Sequence, residues 1–183
     1  TPPPNDLWAL LAVADEASAG EPAWCAAVGP PRPGIVAAAP DGTLRRLAKG
    51  EARPTLAVWA ARQAWIARAG AVLLGHGCPT DADAPRIRRT HLRAGLAVHL
   101  AQVTAVRRGL AARPIGSWQQ ADRGAALGGP PGRDLVVHGL ASRIPLESQQ
   151  WIADTVVDGA LATIPAERGG SHFAFWEDPT GFA

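Results

Sequence analysis

The stretch that decides the fold is LRAGLAVHLAQVTAVRRGL, residues 92–110. Its larger apolar residues and one histidine recur at steps of four and three, which keeps them on one face of a helix. They are Leu92, Leu96, His99, Val103, Val106 and Leu110. Alanines and Gly95 make much of the remaining surface small. The pattern predicts a long, closely packed central helix over residues 88–109, with its apolar face in the core or at a subunit interface.

Shorter elements are predicted before this helix. Asp-Gly between two apolar runs is typical of a hairpin turn, because glycine tolerates positive φ. In chain order the prediction is a helix over 6–17 capped by Asn5, a loop over 29–34 (GPPRPG), hairpin strands over 35–39 and 43–47, a helix over 54–69 ended by Gly70, and a buried strand over 71–75.

Further elements are predicted after it. Ser117 and Gln120 have the spacing of a capping box, which favours a helix over 118–127. The others are an extended segment over 110–117, a turn over 128–132, a strand over 135–140, a helix over 147–164 and a tail from Gly169. Because helices and strands are interleaved, we expect one α+β or mixed α/β domain.

Composition narrows the function classes. The chain has 183 residues and a net charge of +2, which is too small to indicate nucleic-acid binding. No membrane span and no signal peptide are recognisable, so we expect a cytoplasmic protein with Cys25 and Cys78 as free thiols. Tyrosine is absent and Lys49 is the only lysine. Any mechanism that needs a tyrosine acid or another lysine is therefore excluded.

The common catalytic and ligand-binding motifs are absent. There is no Walker A loop, GxGxxG, GxSxG, HExxH or paired CxxC. No catalytic residue is identified, and His76 with Cys78 supplies too few ligands for a metal, so none is expected.

Each of three further features of the sequence allows two interpretations. His99 is either a hydrogen-bonded core or interface residue or a catalytic one. Asp81 and Asp83 are either solvated carboxylates or general bases. The basic cluster at the start of the long helix is either a solvated face or a contact for an anion or a peptide carboxylate. This cluster consists of Arg86, Arg88, Arg89 and Arg93.

Several segments occur in the order typical of one family. They are GPPRPGIVAAAPDGTLRRLAKG (29–50), LAVWAARQAWIARAGAVLLG (56–75), the helix of residues 92–110, ARPIGSW (112–118), Leu127-Gly128, and a strand closing with Gly139. Over residues 29–143 the chain resembles nitroreductase-like flavoproteins, most narrowly the FMN-dependent azoline dehydrogenases. Those enzymes oxidise thiazolines and oxazolines in azole-modified peptides. The resemblance implies an α/β sandwich with a long central helix, an intertwined dimer, and FMN at the dimer interface.

The resemblance also suggests site residues. It places Pro114, Ile115, Gly116 and Ser117 on the loop whose backbone contacts the flavin, where glycine permits close approach. It places Arg143 where the family often has a phosphate-binding arginine. An ordinary strand-to-helix turn explains Gly116 and Ser117 equally well, and a surface position explains Arg143.

The sequence departs from the family in three places. Nothing before Leu7 resembles the Arg-Arg-Ser-x-Arg segment that grips the FMN phosphate. The Pro-Ser-x-Gly loop is expected near residues 21–29, where this chain reads EPAWCAAVG. The Lys-Tyr pair before the central helix is replaced by PTDADAPRIRR at 79–89, which leaves Asp81 and Asp83 as the nearby proton carriers.

The resulting interpretation divides the single domain into an N-terminal arm and first helix (1–28), a nitroreductase-like core (29–146), and a C-terminal helix and tail (147–183). The chain is an FMN-dependent dehydrogenase if it is active, and otherwise a degenerate, non-catalytic partner of an intact FMN-bearing subunit. FMN is then lost or shared with that subunit. The expected partners are a homodimer or heterodimer mate and a peptide substrate, without nucleic acid or membrane. The alternative is a non-enzymatic peptide-binding or scaffold module that uses aromatic residues near Trp151 and at 173–176.

Overall fold

The computed structural model describes residues 1–118 and 121–143, which lie in the compact unit Thr1–Pro145. The middle layer of this unit is a six-stranded antiparallel sheet in the order β3-β2-β1-β4-β6-β5. The strands are β1 (Ala23–Val28), β2 (Gly34–Ala38), β3 (Leu44–Lys49), β4 (Ala71–Cys78), β5 (Ala111–Ile115) and β6 (Leu135–Arg143). The helix predicted over 147–164 and the tail lie outside the described residues.

Helices cover both faces of the sheet. The helices are α1 (Pro4–Ser18), α2 (Arg53–Trp59), α3 (Ala84–Arg107) and α4 (Arg123–Ala126), with a 3₁₀ helix at Ala64–Arg68. Strand β1 shows the division, because Trp24 and Ala26 pack with α1 and α3, whereas Cys25 and Ala27 pack with α2 and the 3₁₀ helix. Alternate residues of a strand point to opposite faces, so both faces of β1 are apolar. The predicted α+β class is confirmed.

The strand predictions were mostly right. The hairpin of β2 and β3 is present, and the apolar run at 71–75 is the buried strand β4, which continues to Cys78. The strand β1 was not predicted, although it pairs with both β2 and β4 near the middle of the sheet. It lies in the stretch 21–29, where a flavin loop was expected.

The helix predicted over 54–69 is wrong as a continuous element. Helix α2 ends at Trp59, and Ala61 and Arg62 then adopt left-handed φ values of 55° and 59°. Left-handed residues cannot continue a right-handed helix, so the chain resumes as the 3₁₀ helix. Leu56 and Ile66 are nevertheless buried in one cluster.

Two predicted helix starts are also wrong. The helix over 118–127 is only the short α4, capped by the Asp122 carboxylate, which accepts the Ala125 N–H at 3.0 Å. Ser117 is exposed and does not directly precede α4, and Gln120 lies outside the described residues. Asn5 is inside α1 rather than its cap, because the helix already begins at Pro4, a residue suited to the first turn.

Helix α3 begins four residues earlier than predicted. The Asp83 carboxylate accepts the Arg86 N–H at 2.8 Å, and Pro85 occupies the first turn, both of which favour a helix start. Its buried residues are small or β-branched: Thr90, Ala94, Ala97, Val98, Ala101 and Ala105. The alanines bring α3 close to α1 and to the sheet.

The larger apolar residues of α3 therefore face outward. Leu92, Leu96 and Val106 are 76%, 52% and 65% exposed, and His99 is exposed as well. Of the two positions predicted for this stripe, the core of the chain or a subunit interface, the core is therefore contradicted. A helix can present only one side to the sheet, and the alanine side makes the closer contact.

Two glycines at the centre of the sheet lie under tryptophan rings. A Cβ atom on Gly75 would approach the Trp24 ring to 2.8 Å. One on Gly139 would lie 2.6 Å from the Trp118 ring and 2.9 Å from the Leu73 carbonyl oxygen. Both indole N–H groups are satisfied: that of Trp24 by the Ser18 hydroxyl oxygen at 3.1 Å, and that of Trp118 by the Ile115 carbonyl at 3.0 Å.

These contacts predict opposite effects for two glycine substitutions. Gly139→Ala should lower the free energy of unfolding by about 1–3 kcal/mol, because the Leu73 backbone cannot retreat from the new methyl group. Gly95→Ala in α3 meets no atom within 4 Å and should raise stability by about 0.5–1 kcal/mol. Urea unfolding of both variants measures this, and equal effects of the two would contradict the packing described.

Candidate functional site

The loop predicted to contact a flavin begins at the end of edge strand β5. Pro114 is exposed and Ile115 is buried in the strand, while Gly116 and Ser117 lie beyond it and are exposed. A Cβ on Gly116 would meet no atom within 4 Å, so the protein itself does not require glycine there. This open space would allow a ligand to approach the backbone closely.

Two backbone donors of the same loop have no hydrogen-bond partner among the described residues. Within residues 1–118 and 121–143, neither the Gly116 nor the Ser117 N–H is hydrogen-bonded to another group. The following Trp118 is held firmly by its Ile115 hydrogen bond and by its contact with Gly139. A cavity of about 520 Å³ lies next to the loop, and Trp118, His91 and Asp122 are among the residues that line it. The loop thus combines free N–H groups with a neighbouring cavity.

Arg143 lies at the end of β6, beside a second arginine that the sequence analysis did not single out. Arg143 is opposite Ala111 and Arg113 is opposite Ala141, so both arginines project from the same face of the sheet. The Arg113 guanidinium lies 4.9 Å from the centre of the Trp65 ring, a cation–π contact.

Neither arginine forms an ion pair with a carboxylate of the described residues. Partial burial, and then the positive charge of Arg113, lower the pKa of Arg143. Two neighbouring cations without an anion are a suitable place for a phosphate or carboxylate group, since each guanidinium can donate two parallel hydrogen bonds.

The predicted flavin-contacting residues fall into two groups that do not meet. Gly116 is five residues further along β5 than Ala111, the partner of Arg143. At the rise of an extended strand this is a separation of about 16 Å. A single ligand that touches both the loop and Arg143 must therefore be elongated.

The two carboxylates before α3 have structural roles. Asp81 pairs with Arg133 at 2.9 Å on the surface, and Asp83 caps α3. Lys49 is the last residue of β3, the strand at the other edge of the sheet from β5. The structure brings no lysine and no tyrosine to the stretch in which the family has its Lys-Tyr pair.

A buried polar cluster was missed by the sequence analysis. His76 on β4 and Arg123 on α4 both contact the Asp134 carboxylate, with Nδ1–Oδ1 at 2.6 Å and Nη1–Oδ2 at 2.8 Å. Sequence reasoning considered His76 only with Cys78, as a loop residue. Its partners lie about 50 residues away in the chain, so no local pattern signals the cluster.

The cluster perturbs the ionisation of its members. Burial alone would lower the pKa of His76, but its hydrogen bond to Asp134, followed by its interaction with Cys25, raises the pKa to about 9. Burial opposes ionisation of Asp134, but the hydrogen bond and charge of His76 and those of Arg123 hold its pKa below the usual value. At neutral pH the cluster is therefore an imidazolium–carboxylate–guanidinium network.

The other candidates are less specialised. His91 and His99 are exposed on α3. In the basic cluster, Arg86 pairs with Glu21 at 2.9 Å, while Arg88 and Arg89 are exposed.

Where the structure is described, no three or more His, Cys, Asp and Glu residues are grouped to hold a metal. None of the described helices is long and apolar enough to cross a membrane. A second cavity, of about 660 Å³, lies between the N-terminal residues and the β2–β3 hairpin and contains no predicted site residue.

Solved structures with a similar fold include nitroreductases. A protein assigned as a nitroreductase from Anabaena variabilis overlaps with a TM-score of 0.59 at 20% identity, over 77% of this chain and 34% of its own. Nitroreductase A from Vibrio parahaemolyticus overlaps with a TM-score of 0.52 at 16% identity, over 92% and 68%. A Desulfovibrio desulfuricans protein in complex with FMN gives 0.46 at 19% identity, over 87% and 81%. The first two establish that this chain has the nitroreductase fold.

The comparisons extend no further than the fold. No protein-family model matches the chain. No curated protein sequence matches it either. The chain spans only about a third of the Anabaena protein.

The buried cluster predicts a specific pH dependence of stability. Because folding raises the pKa of His76 from 6.5 to about 9, the folded state holds this proton more tightly than the unfolded chain. The stabilisation, on the order of 1–3 kcal/mol, is complete below pH 6.5 and is lost as the pH rises through 9. His76→Gln should be less stable at pH 6 and should flatten the profile between these values.

Urea unfolding across this pH range tests the prediction. His99→Gln is the matched control, because His99 is exposed, and it should keep the wild-type slope. A wild-type profile that is flat from pH 6.5 to 9 would contradict the charged network.

Proposed function

We propose that this chain is a subunit of an FMN-dependent, nitroreductase-like oxidoreductase of the azoline-dehydrogenase type. Within the maturation of azole-containing peptides it serves as a degenerate, non-catalytic partner of an intact FMN-bearing subunit. Two observations support the proposal: the nitroreductase fold, and the order of sequence segments over residues 29–143, which resembles that of the azoline dehydrogenases. It assigns the assembly to the cytoplasm, in keeping with the free, buried Cys25 and Cys78.

The observation that carries the non-catalytic role is the engagement of both nearby carboxylates. Asp83 holds the first turn of α3 and Asp81 is paired with Arg133. Oxidation of an azoline needs a group that removes a proton from the ring. The chain has no tyrosine, and its one lysine is on an edge strand. An intact partner would have to supply the base.

The residues fit an FMN that is shared with a second subunit better than an FMN that is bound by this chain alone. When bound, FMN supplies the two-electron redox chemistry, and the protein supplies position and electrostatics. Gly116 and Ser117 would donate backbone N–H groups to the polar edge of the ring, beside the cavity at Trp118. Arg143, together with Arg113, would bind the phosphate at the far end of the ribityl chain, consistent with the separation of the two groups. Pro114 and Ile115 would position the loop.

A second candidate function is a non-enzymatic peptide-binding or scaffold module. The exposed Leu92, Leu96 and Val106 on α3 favour it, because a row of exposed large apolar residues marks an interaction surface. The aromatic residues Trp151 and those at 173–176, which the sequence analysis also considered, lie outside the described residues.

Absorbance of the purified protein separates these functions. The chain alone should be colourless and inactive, and co-expression with an intact nitroreductase-like subunit should give a yellow complex that releases FMN on denaturation. A yellow, active homomer would show that the chain is itself an enzyme. A chain that joins no flavoprotein and accepts no added FMN would leave the scaffold function.

Arg143→Gln should weaken FMN binding by the flavin-containing complex about tenfold, because a charged hydrogen-bond donor to phosphate is lost. Riboflavin, which lacks the phosphate, should bind with the same affinity to the complex containing the wild-type chain and to the complex containing the Arg143→Gln chain. Arg45→Gln, on the exposed edge strand β3, is the matched control. Fluorescence titration measures the affinities, and equal losses for FMN and riboflavin would contradict a phosphate contact.

A further inference from the structure

The cavity of about 660 Å³ lies at the edge of the sheet opposite to the candidate flavin residues. It opens between the first residues of the chain and the β2–β3 hairpin, and the edge strand beside it is β3. The loop at Gly116 and the Arg113–Arg143 pair belong to the β5 edge. The volume is in the range of pockets that bind small molecules, and is too small for a folded partner.

The side of this cavity that the sheet forms is apolar. Val28 of β1 and Val36 of β2 are buried there, and Leu44 of β3 packs against the same core cluster. Much of the remaining wall consists of prolines, which are Pro2, Pro3, Pro4 and Pro31. Proline has a fixed φ and no backbone N–H, so this wall is stiff and offers a ligand no hydrogen-bond donor.

The charged groups of the cavity are all cations. Arg32 and Arg46 line it, and no aspartate or glutamate is among the described residues that line it. Neither arginine forms an ion pair with a carboxylate of residues 1–118 and 121–143. The hydroxyl groups of Thr1 and Thr43, which also line the cavity, already donate within the chain at 3.1 and 2.6 Å. The cavity is therefore complementary to an anion.

Arg46 is exposed but held in place. Its terminal nitrogens donate to the Pro33 carbonyl at 3.0 Å and to the Arg32 carbonyl at 3.2 Å. Gly34 leaves space for it, because a Cβ atom there would lie 2.6 Å from Arg46 Nη1. Arg46 is opposite Val36 in the sheet, so its side chain lies on the apolar side of the cavity. Two neutral carbonyls leave its positive charge uncompensated, and further N–H donors remain for a ligand.

We propose that this cavity binds a small amphipathic carboxylate, with its apolar body on Val28, Val36 and Leu44 and its carboxylate group on Arg46 and Arg32. The planar guanidinium group donates two parallel hydrogen bonds to a carboxylate. Burial of the apolar body supplies affinity, and the arginines select the charge. A cationic ligand would instead meet two positive charges that no lining acid offsets.

This site goes beyond the proposed function and does not depend on it. The cavity shares no residue with the loop of Gly116 and Ser117 or with the Arg113–Arg143 pair. Its test contains no flavin, so failure to bind FMN and failure to bind a carboxylate are separate results.

Four probes separate the apolar from the ionic contribution: octanoate, octan-1-ol, octylammonium and acetate. NMR titration of the backbone amide signals of the wild-type chain reports both affinity and location. Octanoate should saturate one site and shift the signals of Val36, Gly42, Thr43 and Leu44. Each of the other three probes should bind at least about tenfold more weakly, because each lacks either the negative charge or the apolar chain.

Three variants test the arginines. Arg46→Gln should weaken octanoate binding about tenfold and leave octan-1-ol binding unchanged, because only a charged contact is lost. Arg32→Gln should also weaken octanoate binding, and it preserves the bond from Arg46, which is made to the Arg32 backbone carbonyl. Arg45→Gln is the matched control and should bind octanoate as the wild type does. Arg45 adjoins Arg46 on β3 but is opposite Ala37, so it lies on the other face of the sheet. Thermal melts establish that all three variants are folded.

Five results would overturn the proposal. The first is the absence of saturable octanoate binding by the wild type. Equal affinities for octanoate and octan-1-ol would remove the recognition of charge. Equal weakening by Arg45→Gln and Arg46→Gln would reduce it to general surface charge. Octanoate binding that Arg143→Gln weakens and Arg46→Gln leaves unchanged would place the ligand at β5 and β6. Signals of Gly42 and Thr43 that shift with protein concentration in the absence of octanoate would make the occupant a second copy of the chain.

Discussion

The close approach of α3 to the sheet and to α1 is the constraint on which the rest of the structure depends. Ala94, Ala97, Ala101 and Ala105 occupy the buried side of a 24-residue helix, where any larger side chain would have to displace α1 or the sheet. The consequence is that the leucines of α3 lie outside. The exposed apolar residues on the outer face of α3 are therefore a consequence of how the core is packed.

The centre of the sheet connects this packing to the candidate site. Gly75 and Gly139 leave space for tryptophan rings on opposite faces, and Trp118 is the residue that follows the loop of Gly116 and Ser117. The position of the exposed loop is thus fixed by a core contact. In the middle of β5, Arg113 lies against Trp65 on the face of the sheet that also carries Arg143, whose partner Ala111 begins the strand. The site is divided because the two groups are at opposite ends of one strand.

Several arginines of the described residues have no neighbouring carboxylate, whereas the carboxylates near the candidate site are engaged. The partly buried Asp134 contacts both His76 and Arg123, and Asp81 and Asp83 are engaged near α3. In contrast, Arg88, Arg89, Arg93 and Arg107 of α3 and the Arg113–Arg143 pair have no carboxylate partners in the described part of the chain. The Arg113–Arg143 pair on β5 and β6 is thus suited to a phosphorylated ligand.

The sequence by itself determined the α+β class, the β2–β3 hairpin, the buried strand β4 and the existence of the long helix. Those features depend on local periodicity and turn chemistry, as with Asp41-Gly42 and the apolar run at 71–75. It also excluded a lysine–tyrosine pair by simple count. Only the tertiary structure decided which side of α3 is buried, because both sides are apolar and the choice depends on how closely neighbouring layers can approach. The same holds for β1, for the break at Ala61 and Arg62, and for the joining of His76 to Asp134, since contacts between distant segments leave no local pattern.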